Sequence, residues 1–301
     1  STNAVQDAIA TAAGSDGSLY VLANVDGTTD NQTIKGSQDV ALMKYDSAGN
    51  LVYTRMLGAS DTASGYALAV SNDGKVAITG TVTGALNINN PSTTLNKYGL
   101  PVDTGVAAST APLDGWDAST PDSFVTVLNA DGTEDWTQRL TASAADQPTT
   151  VTFGDDDSVY VGGKTESTMP GSGAKQAGGY DAYVVGFSAT GQKTFVQQNG
   201  TANSDSTAQI AVNGSSMYVA SLQDNQVVLN SYDLSSGTPV QTGSRNLGGI
   251  GGGNISGISV YNGQVYLGGS TSNAGLDGAT ATVTKAASGG YDAFALSVNA
   301  D

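Results

Sequence analysis

Apolar and polar residues alternate along short runs throughout this chain, and the runs recur in a fixed order. Alternation over four to eight residues, bounded by Gly, Asn and Asp, is typical of half-buried β-strands. Between two such runs, Asn213-Gly214 favours a tight hairpin, because both residues tolerate positive φ. One copy of the pattern therefore predicts a four-stranded antiparallel meander. Its runs in the clearest copy are 181–187, 193–197, 208–212 and 217–220.

Further copies predict a ring of such meanders. A four-stranded sheet cannot bury both of its faces alone, so repeated sheets stack radially into a propeller. We predict one all-β domain over 1–301, a β-propeller of five four-stranded blades, closed by pairing between its N- and C-terminal strands. The predicted blades are 289–301 plus 1–27, 36–84, 120–167, 178–225 and 226–273.

Three stretches carry a family resemblance. GGYDAF at 289–294, the Gly132 to Trp136 spacing and SDGSLYVLA at 15–23 resemble the bacterial SBBP β-propeller repeat. That repeat opens on GG-x-D-x-F, has G-x-x-x-W in its second strand and ends on D-x-x-G-x-x-Y-x-x-G. The resemblance implies a propeller fold and a bacterial origin, and it implies little about catalysis.

The chain departs from that family in several ways. Tyr53 and Phe195 stand where the repeat has its tryptophan, and we count five blades where the family name implies seven. The last copy reaches Asp301 at NAD, whereas the copy at 129–132 continues into a second strand. Either the sequence is cut there or residues 1–6 supply a replacement strand. A fragment of a larger ring is a further alternative.

Charge and composition exclude several functions. The net charge is −16 with a pI near 4.1, which repels phosphate backbones and anionic membranes. We expect no nucleic-acid partner and no membrane insertion, and we expect a monomer or a segment of a larger chain. Cys and His are both absent, which excludes disulfides, Cys nucleophiles and Ser-His-Asp catalysis. The Gly-, Ala-, Ser-, Thr-, Asn- and Asp-rich composition favours an extracellular or cell-surface bacterial protein.

Three insertions interrupt the repeats, at 85–119, 164–177 and 274–288. We expect each to connect the last strand of one blade to the first strand of the next. Loops on a rigid scaffold often carry function, so we predict a protein or glycan ligand on the face that they share. The alternative is that they are solvated crossover loops. The loops between second and third strands reach the same face and add Asp61, Asp146, Asp205 and Asn254.

Trp116 is a candidate sugar-binding residue inside the longest insertion. It is accompanied by Tyr98, Asp114 and Asp117. An aromatic ring can stack on a sugar while carboxylates accept hydrogen bonds from its hydroxyl groups. The alternative is a loop anchor that packs against the edge of a blade.

Asp155, Asp156 and Asp157 are a candidate calcium site, because three adjacent carboxylates suit a hard cation. The alternative is a solvated acidic turn. We expect no required cofactor, with calcium as the one candidate ion. The aspartates that open strands have a structural interpretation, because a short acceptor can bond to free backbone N–H groups there. They are Asp39, Asp122, Asp181 and Asp292.

Catalysis would depend on the two glutamates. Glu166 follows a fourth strand on the favoured face, and Glu134 lies on the opposite face. Glycoside hydrolysis needs two suitably spaced carboxyl groups. The sequence contains enough carboxyl groups for such a pair, but no spacing in it indicates one. We therefore predict a non-enzymatic binding or scaffold module of a bacterial extracellular, surface or appendage-associated protein. A carbohydrate-binding propeller is the first alternative and a carbohydrate-active hydrolase the second; a flagellar setting rests on the export-like composition alone.

Overall fold

The structure is a computed structural model of the chain. It describes residues 6–30, 32, 34–59, 61–83, 86–87, 91–95, 101–103, 121–140, 145–273, 276 and 289–300. These residues form strands, turns and loops and contain no helix, so the predicted all-β class is confirmed. The chain divides into two compact units, residues 1–153 with 189–191 (unit 1) and residues 154–188 with 192–301 (unit 2).

Unit 1 contains two large antiparallel sheets and a small one. Their orders are β1-β2-β3-β4-β7, β11-β10-β6-β5 and β8-β9. The strands are β1 (Gln6–Ala13), β2 (Leu19–Val25), β3 (Asp39–Tyr45), β4 (Leu51–Ala59), β5 (Thr62–Val70), β6 (Val76–Thr83), β7 (Leu86–Asn87), β8 (Pro91–Leu95), β9 (Pro101–Asp103), β10 (Asp122–Leu128), β11 (Glu134–Leu140) and β12 (Asp146–Phe153).

Unit 2 follows the same meander rule. β14 lies between β13 and β15, and the other two orders are β16-β17-β18-β19 and β20-β21-β22. The strands are β13 (Val159–Thr165), β14 (Asp181–Phe187), β15 (Lys193–Asn199), β16 (Ser206–Asn213), β17 (Ser216–Gln223), β18 (Gln226–Asp233), β19 (Val240–Gly249), β20 (Asn254–Tyr261), β21 (Gln264–Thr271) and β22 (Asp292–Asn299).

The strands group into sheets differently from the prediction. A sheet combines the last two strands of one sequence copy with the first two of the next, as β5 and β6 do with β10 and β11. The predicted blades 36–84, 120–167, 178–225 and 226–273 are therefore each divided between two sheets. Alternation of apolar and polar residues is a local signal. In a series of similar antiparallel strands, it does not show where one four-stranded sheet ends and the next begins. The sequence pattern thus identifies the strands without their grouping.

The same shift changes two further expectations. β1 and β2 share a sheet with β3 and β4, while β22 pairs with β21. The strands of the blade predicted from 289–301 plus 1–27 therefore belong to two different sheets. The insertions connect neighbouring strands within one sheet, because β13 pairs with β14 and β21 with β22. They do not connect one sheet to the next, as the predicted grouping required. The blade count of five stays a prediction.

Buried side chains on the strand faces form each unit's core. In unit 1, Tyr20, Leu22, Tyr53 and Phe124 belong to one buried cluster. Unit 2 has two such clusters, one around Tyr160, Ile210 and Tyr232 and one around Leu229, Leu247 and Leu267. Burial of apolar area of this kind is the main stabilising term in folding.

Aromatic side chains form rows across neighbouring strands of the sheets. In unit 1, Tyr20 lies opposite Lys44, and Lys44 lies opposite Tyr53. The Lys44 ammonium is 5.1 Å from the centre of the Tyr20 ring, close enough for a cation–π contact. Directly opposite residues share one face of a sheet. The row therefore joins two buried tyrosines across a central strand.

A second row in unit 2 has the same form. Tyr160 lies opposite Gly186, and Gly186 lies opposite Phe195. A Cβ atom added at Gly186 would lie 3.1 Å from the Tyr160 ring and 3.2 Å from Phe195. The two aromatic side chains thus flank a residue that has no side chain of its own.

Candidate functional site

The insertion 164–177 forms one wall of a pocket in unit 2. The pocket has a volume of about 410 Å³, within the range of small-molecule and peptide sites. Its other walls come from β15, β17, β18 and β19. We call it the insertion pocket. It is lined by Ala174, Lys175, Ala177, Gln198, Asn199, Gly200, Gln223, Val228, Asn230, Gln241 and Ser244.

Gln198 anchors the insertion to the sheet beneath it. Its side-chain oxygen accepts a hydrogen bond from the Met169 backbone N–H at 2.7 Å. Its amide nitrogen donates to the Ser167 carbonyl at 2.9 Å and to the Asp181 carboxylate at 2.8 Å. Gln198 is buried, and a buried amide is favourable only when it is bonded in this way. The wall of the pocket is therefore fixed by strand residues.

Asp181 is the second anchor, and together with Asp39 it shows the backbone bonding expected of the strand-opening aspartates. Its carboxylate oxygens accept from the Ala177 backbone N–H at 3.1 and 3.3 Å. In unit 1, Asp39 accepts in the same way from the backbone N–H groups of Lys35 and Gly36. Asp122 instead forms a buried ion pair with Arg139 at 3.0 Å. In all three cases the aspartate and the groups that it binds belong to the same unit.

The lining of the insertion pocket is rich in amides. Among the described residues, the lining includes five amide side chains and neither a carboxylate nor an aromatic side chain; the amides are those of Gln198, Asn199, Gln223, Asn230 and Gln241. Amides both donate and accept hydrogen bonds. In a chain of net charge −16, a pocket lined without a carboxylate is a local exception to the surface charge.

Lys175 supplies the one charged group of the lining. It is exposed and forms no ion pair with any residue in the described part of the chain. Its ammonium can therefore pair with an acceptor on a ligand. Together with the amides, it gives the pocket a cation at its rim and neutral polar groups within.

Gln241 and Gln197 join the pocket to the core of unit 2. The Gln241 amide nitrogen donates to Asn230 Oδ1 at 3.4 Å, and its oxygen accepts from the Gln197 amide at 3.3 Å. The Tyr232 hydroxyl donates to the Gln197 side-chain oxygen. Burial of the Tyr232 ring raises the pKa of its hydroxyl to about 12. The floor of the pocket thus continues into a neutral, fixed network.

Glu166 belongs to the same insertion but has another partner. A side-chain hydrogen bond between Glu166 and Tyr180 is the main cause of the raised pKa of Tyr180. The Lys164 ammonium is 4.6 Å from the centre of the Tyr180 ring. Glu166 is exposed and does not line the pocket. The structure therefore places the glutamate considered for catalysis beside a tyrosine and a lysine.

The predicted ligand-facing aspartates lie in different environments. Asp61 is exposed, whereas Asp146 and Asp205 are each only 2% exposed. The Asp205 carboxylate accepts from the Thr201 hydroxyl at 3.1 Å and from the Asp224 backbone N–H at 2.7 Å. It holds a loop together and does not face solvent. Asn254, at the equivalent loop, is exposed and accepts from the Ser270 hydroxyl at 2.9 Å.

Residues 154–158 form a hairpin turn that recurs elsewhere in the chain. In this turn the Ser158 backbone N–H donates to Asp156 Oδ1 at 3.1 Å, and in unit 1 the Thr133 N–H donates to Asp131 Oδ1 at 2.9 Å. Asp157 has a φ of 62° where the other turn has a glycine. Two of the three aspartates thus have turn-forming roles. Across the described ranges, acidic side chains do not gather in threes around a common point; calcium binding at 155–157 stays a prediction.

Trp116, Tyr98, Asp114 and Asp117 lie outside the described residues, and their sugar-binding role stays a prediction. The amides of the insertion pocket were missed by sequence reasoning, which searched for acids, aromatics and metal ligands. The run Gln197-Gln198-Asn199 at the end of a strand was the available signal. No helix suited to crossing a membrane occurs in the described part of the chain.

Comparison with curated proteins finds a relative of significant sequence similarity. No family model matches the chain. The regulatory protein FlaEY of Caulobacter vibrioides is 38% identical over 320 residues, which cover 93% of this chain and 31% of FlaEY. The chain therefore spans less than a third of the length of that relative.

Among solved structures, hydrazine synthase of Kuenenia stuttgartiensis matches with a TM-score of 0.49 and 11% identity, covering 97% of this chain and 62% of the other. The polysaccharide lyase Uly1 matches with a TM-score of 0.48 and 11% identity, covering 97% and 57%.

Proposed function

We propose that this chain is a non-enzymatic binding module of a bacterial extracellular, surface or appendage-associated protein, and that it binds its partner at the insertion pocket. The observation that carries the proposal is the insertion pocket itself, in which the anchored insertion 164–177 faces amide side chains of the neighbouring strands. Two hydrogen bonds from one buried side chain, Gln198, hold the insertion in place; a third joins Gln198 to Asp181, which itself bonds to Ala177. A pre-formed wall reduces the entropy lost on binding.

The lining favours an extended protein segment as the ligand. Gln198 is engaged with the insertion, and Gln241 bonds to Asn230. Asn199 and Gln223 provide side-chain amides, which have the same paired donor and acceptor groups as a peptide backbone. Lys175 adds a cation for a carboxylate or carbonyl of that segment. An aromatic platform, on which sugars commonly stack, is missing from this lining. A protein partner is therefore better supported here than a glycan.

A hydrolase is less well supported. Acid–base cleavage of a glycoside needs two carboxyl groups facing one bond, and none lines the insertion pocket. Glu166, the candidate acid, is hydrogen-bonded to Tyr180 outside the pocket lining. A binding role requires only the groups that are present.

The similarity to FlaEY, a bacterial protein named as regulatory, supports a bacterial setting for this role. The extracellular or surface location rests on composition, since Gly, Ala, Ser, Thr, Asn and Asp dominate while Lys and Arg together number 11. The flagellum is one appendage in which such a module would serve.

The test is a binding screen of the purified chain on a peptide array and a glycan array. We expect selective peptide binding that is lost in Lys175→Glu combined with Gln241→Ala. Lys193→Glu is the matched control, because Lys193 is also exposed and does not line the pocket; it should bind as the wild type does. Blank arrays, or binding that the double variant retains, would contradict the proposal. Selective glycan binding lost in the double variant would replace the protein partner with a sugar.

A further inference from the structure

The floor of the insertion pocket contains a smaller side chain than the equivalent position of unit 1. Val228 is the third residue of β18 and lines the pocket. The third residue of β10 is Phe124, which is 1% exposed and belongs to the buried core of unit 1. Val228 is only half-buried. Both residues lie in an inner strand of a four-stranded meander, so the pocket occupies space that a larger side chain fills at the equivalent position.

A pair of polar residues in the same two sheets shows a second difference. In unit 1, Thr126 and Thr137 lie opposite each other, and their hydroxyl groups are hydrogen-bonded at 2.9 Å. Asn230 and Ser244 are the equivalent opposite pair in unit 2, and both line the pocket. Among the described residues, their side chains form no hydrogen bond with each other. The bond that closes this position in unit 1 is therefore missing from the pocket floor.

A directed series of hydrogen bonds makes Asn230 a donor toward the pocket. The Tyr232 hydroxyl donates to Gln197, whose amide nitrogen donates to Gln241. The Gln241 amide nitrogen in turn donates to Asn230 Oδ1 at 3.4 Å. Asn230 is 4% exposed, and its own amide nitrogen has no acceptor in the described part of the chain. A buried N–H group without an acceptor is costly, so these N–H groups are the donors that the floor offers to a ligand.

Lys175 is a second donor of the lining, and it is charged. Its ammonium group forms neither an ion pair nor a hydrogen bond with any residue that the structure describes. The side-chain amides of Asn199 and Gln223, which also line the pocket, have no partner within the described ranges. A ligand group that accepts hydrogen bonds and carries a negative charge would therefore meet a cation and several amide donors.

A carboxylate beside the pocket is already occupied by other donors. Asp181 is 0% exposed. Its oxygens accept from the Ala177 backbone N–H and from the Gln198 amide. Neither of these donors is Asn230 or Lys175, which leaves those two groups for a ligand.

We propose that the insertion pocket receives the side-chain carboxylate of an Asp or Glu residue in the partner's extended segment. The Asn230 amide N–H groups bind this carboxylate at the floor, and the Lys175 ammonium binds it at the rim. Hydrogen bonds to an ionised acceptor are stronger than those between neutral groups, and the low dielectric around a buried donor strengthens them. This inference rests on the function proposed above and specifies the chemical group that the site recognises.

NMR titration of the isotope-labelled chain tests the proposal with two capped tripeptides, acetyl-Ala-Glu-Ala amide and acetyl-Ala-Gln-Ala amide. We expect the glutamate peptide to shift the side-chain amide signals of Asn230, Asn199 and Gln223 in a saturable way. The glutamine peptide has nearly the same shape but makes only neutral hydrogen bonds. It should bind about fivefold more weakly, or weaker still.

Lys175→Gln tests the cation at the rim. This variant should bind the glutamate peptide about fivefold more weakly than the wild type does and should bind the glutamine peptide unchanged. Lys193→Gln is the matched control, because Lys193 is also exposed and does not line the pocket. It should bind both peptides as the wild type does.

Asn230→Val tests the donor at the floor. Val185 holds the equivalent position of β14 and is fully buried, so valine suits this position, and circular dichroism establishes that the variant folds. Its binding is followed through the signals of Asn199 and Gln223. The glutamate peptide should bind about fivefold more weakly than to the wild type, because the buried donor is gone.

Equal binding of the two tripeptides to the wild type would overturn the proposal, as would the absence of any saturable shift with the glutamate peptide. Glutamate binding that Lys175→Gln and Asn230→Val both leave unchanged would also overturn it, because the carboxylate would then lie elsewhere. The proposed function fails separately, through the peptide array. Array binding that is lost in the double variant Lys175→Glu with Gln241→Ala would still support a peptide site, without the preference for an acidic side chain.

Discussion

Tyr20 and Tyr266 occupy the same position in the repeat but lie in opposite environments. Each lies in the strand that precedes an opening strand, and each faces a residue five positions after the opening Asp. Tyr20 is 0% exposed and is joined through Lys44 to Tyr53. Tyr266 faces Ser297, beyond which no described strand lies. Burial at this position is therefore decided by the neighbouring strand and not by the residue itself.

The comparison suggests a general way to interpret repeats. Where a repeated position is buried in most copies and exposed in one, the difference reflects which strands lie beside each copy among the described residues. A large exposed aromatic beside an unprotected strand edge is informative in a way that a scattered surface residue is not.

Alanine substitution at the two tyrosines should separate them most strongly. Tyr20→Ala should lower the free energy of unfolding by about 3–5 kcal/mol, because it empties a fully buried site. Tyr266→Ala should change it by less than about 1 kcal/mol, since an exposed ring contributes little packing. Urea unfolding followed by circular dichroism measures both. Similar losses for the two variants would contradict the comparison.

The pH dependence of stability at alkaline pH should show the effect of burial on a third tyrosine, Tyr232. Its pKa is raised from 10 to about 12, so the unfolded chain loses the proton before the folded chain does. Its contribution is complete below pH 10 and is lost as the pH rises toward 12. The loss should be about 2–3 kcal/mol at most.

Stability of the wild type and of Tyr232→Phe should therefore be measured from pH 8 to pH 11.5. The phenylalanine variant should lose less stability over the alkaline part of this range. Phe195→Leu, which alters the edge-to-face neighbour of Tyr232 at 5.8 Å, should keep the wild-type slope. A Tyr232→Phe profile as steep as that of the wild type would show that the drop arises elsewhere.

The smallest expected effects concern equivalent positions in the hairpin turns. Gly132 has a φ of 84° and lies under the Tyr53 ring, 3.2 Å from where a Cβ would be. Gly132→Ala should destabilise the chain by about 1–2 kcal/mol. Gly49→Ala is the matched control, because Gly49 has a φ of 82° with nothing nearby; it should cost less.

At the same turn position, Asp157→Gly should change stability by less than about 0.5 kcal/mol, because relief of the left-handed backbone offsets the lost side chain. Thermal melts with calcium and with a chelator check this. If calcium raised the melting temperature of the wild type but not of Asp157→Gly, the turn-forming interpretation of residues 155–157 would be incomplete.

The strands were largely predictable from the sequence. The predicted run 181–187 coincides with β14, and the run 193–197 lies within β15. Alternation with turn residues is a local property, and each strand has one half-buried face. The grouping into sheets was not predictable, because β5 pairs with β6 whichever of its neighbours completes the sheet.

The candidate site was less predictable than the fold. The insertion 164–177 was selected from the sequence, and it lines a pocket that is completed by Asn230 and Gln241, which lie more than 50 residues further along the chain. Neutral amides carry no spacing signal of the kind that metal ligands do. Asp205 was selected for its position, yet the fold turns its carboxylate toward Thr201 and Asp224.

Amide hydrogen exchange along β22, measured residue by residue by NMR, tests the central claim most directly. The account predicts that the Ala293, Ala295 and Ser297 amides exchange much faster than those of Phe294, Leu296 and Val298, which point toward β21. Equal protection of all six amides in the chain alone would contradict the account, because it would show that the edge of β22 is already occupied.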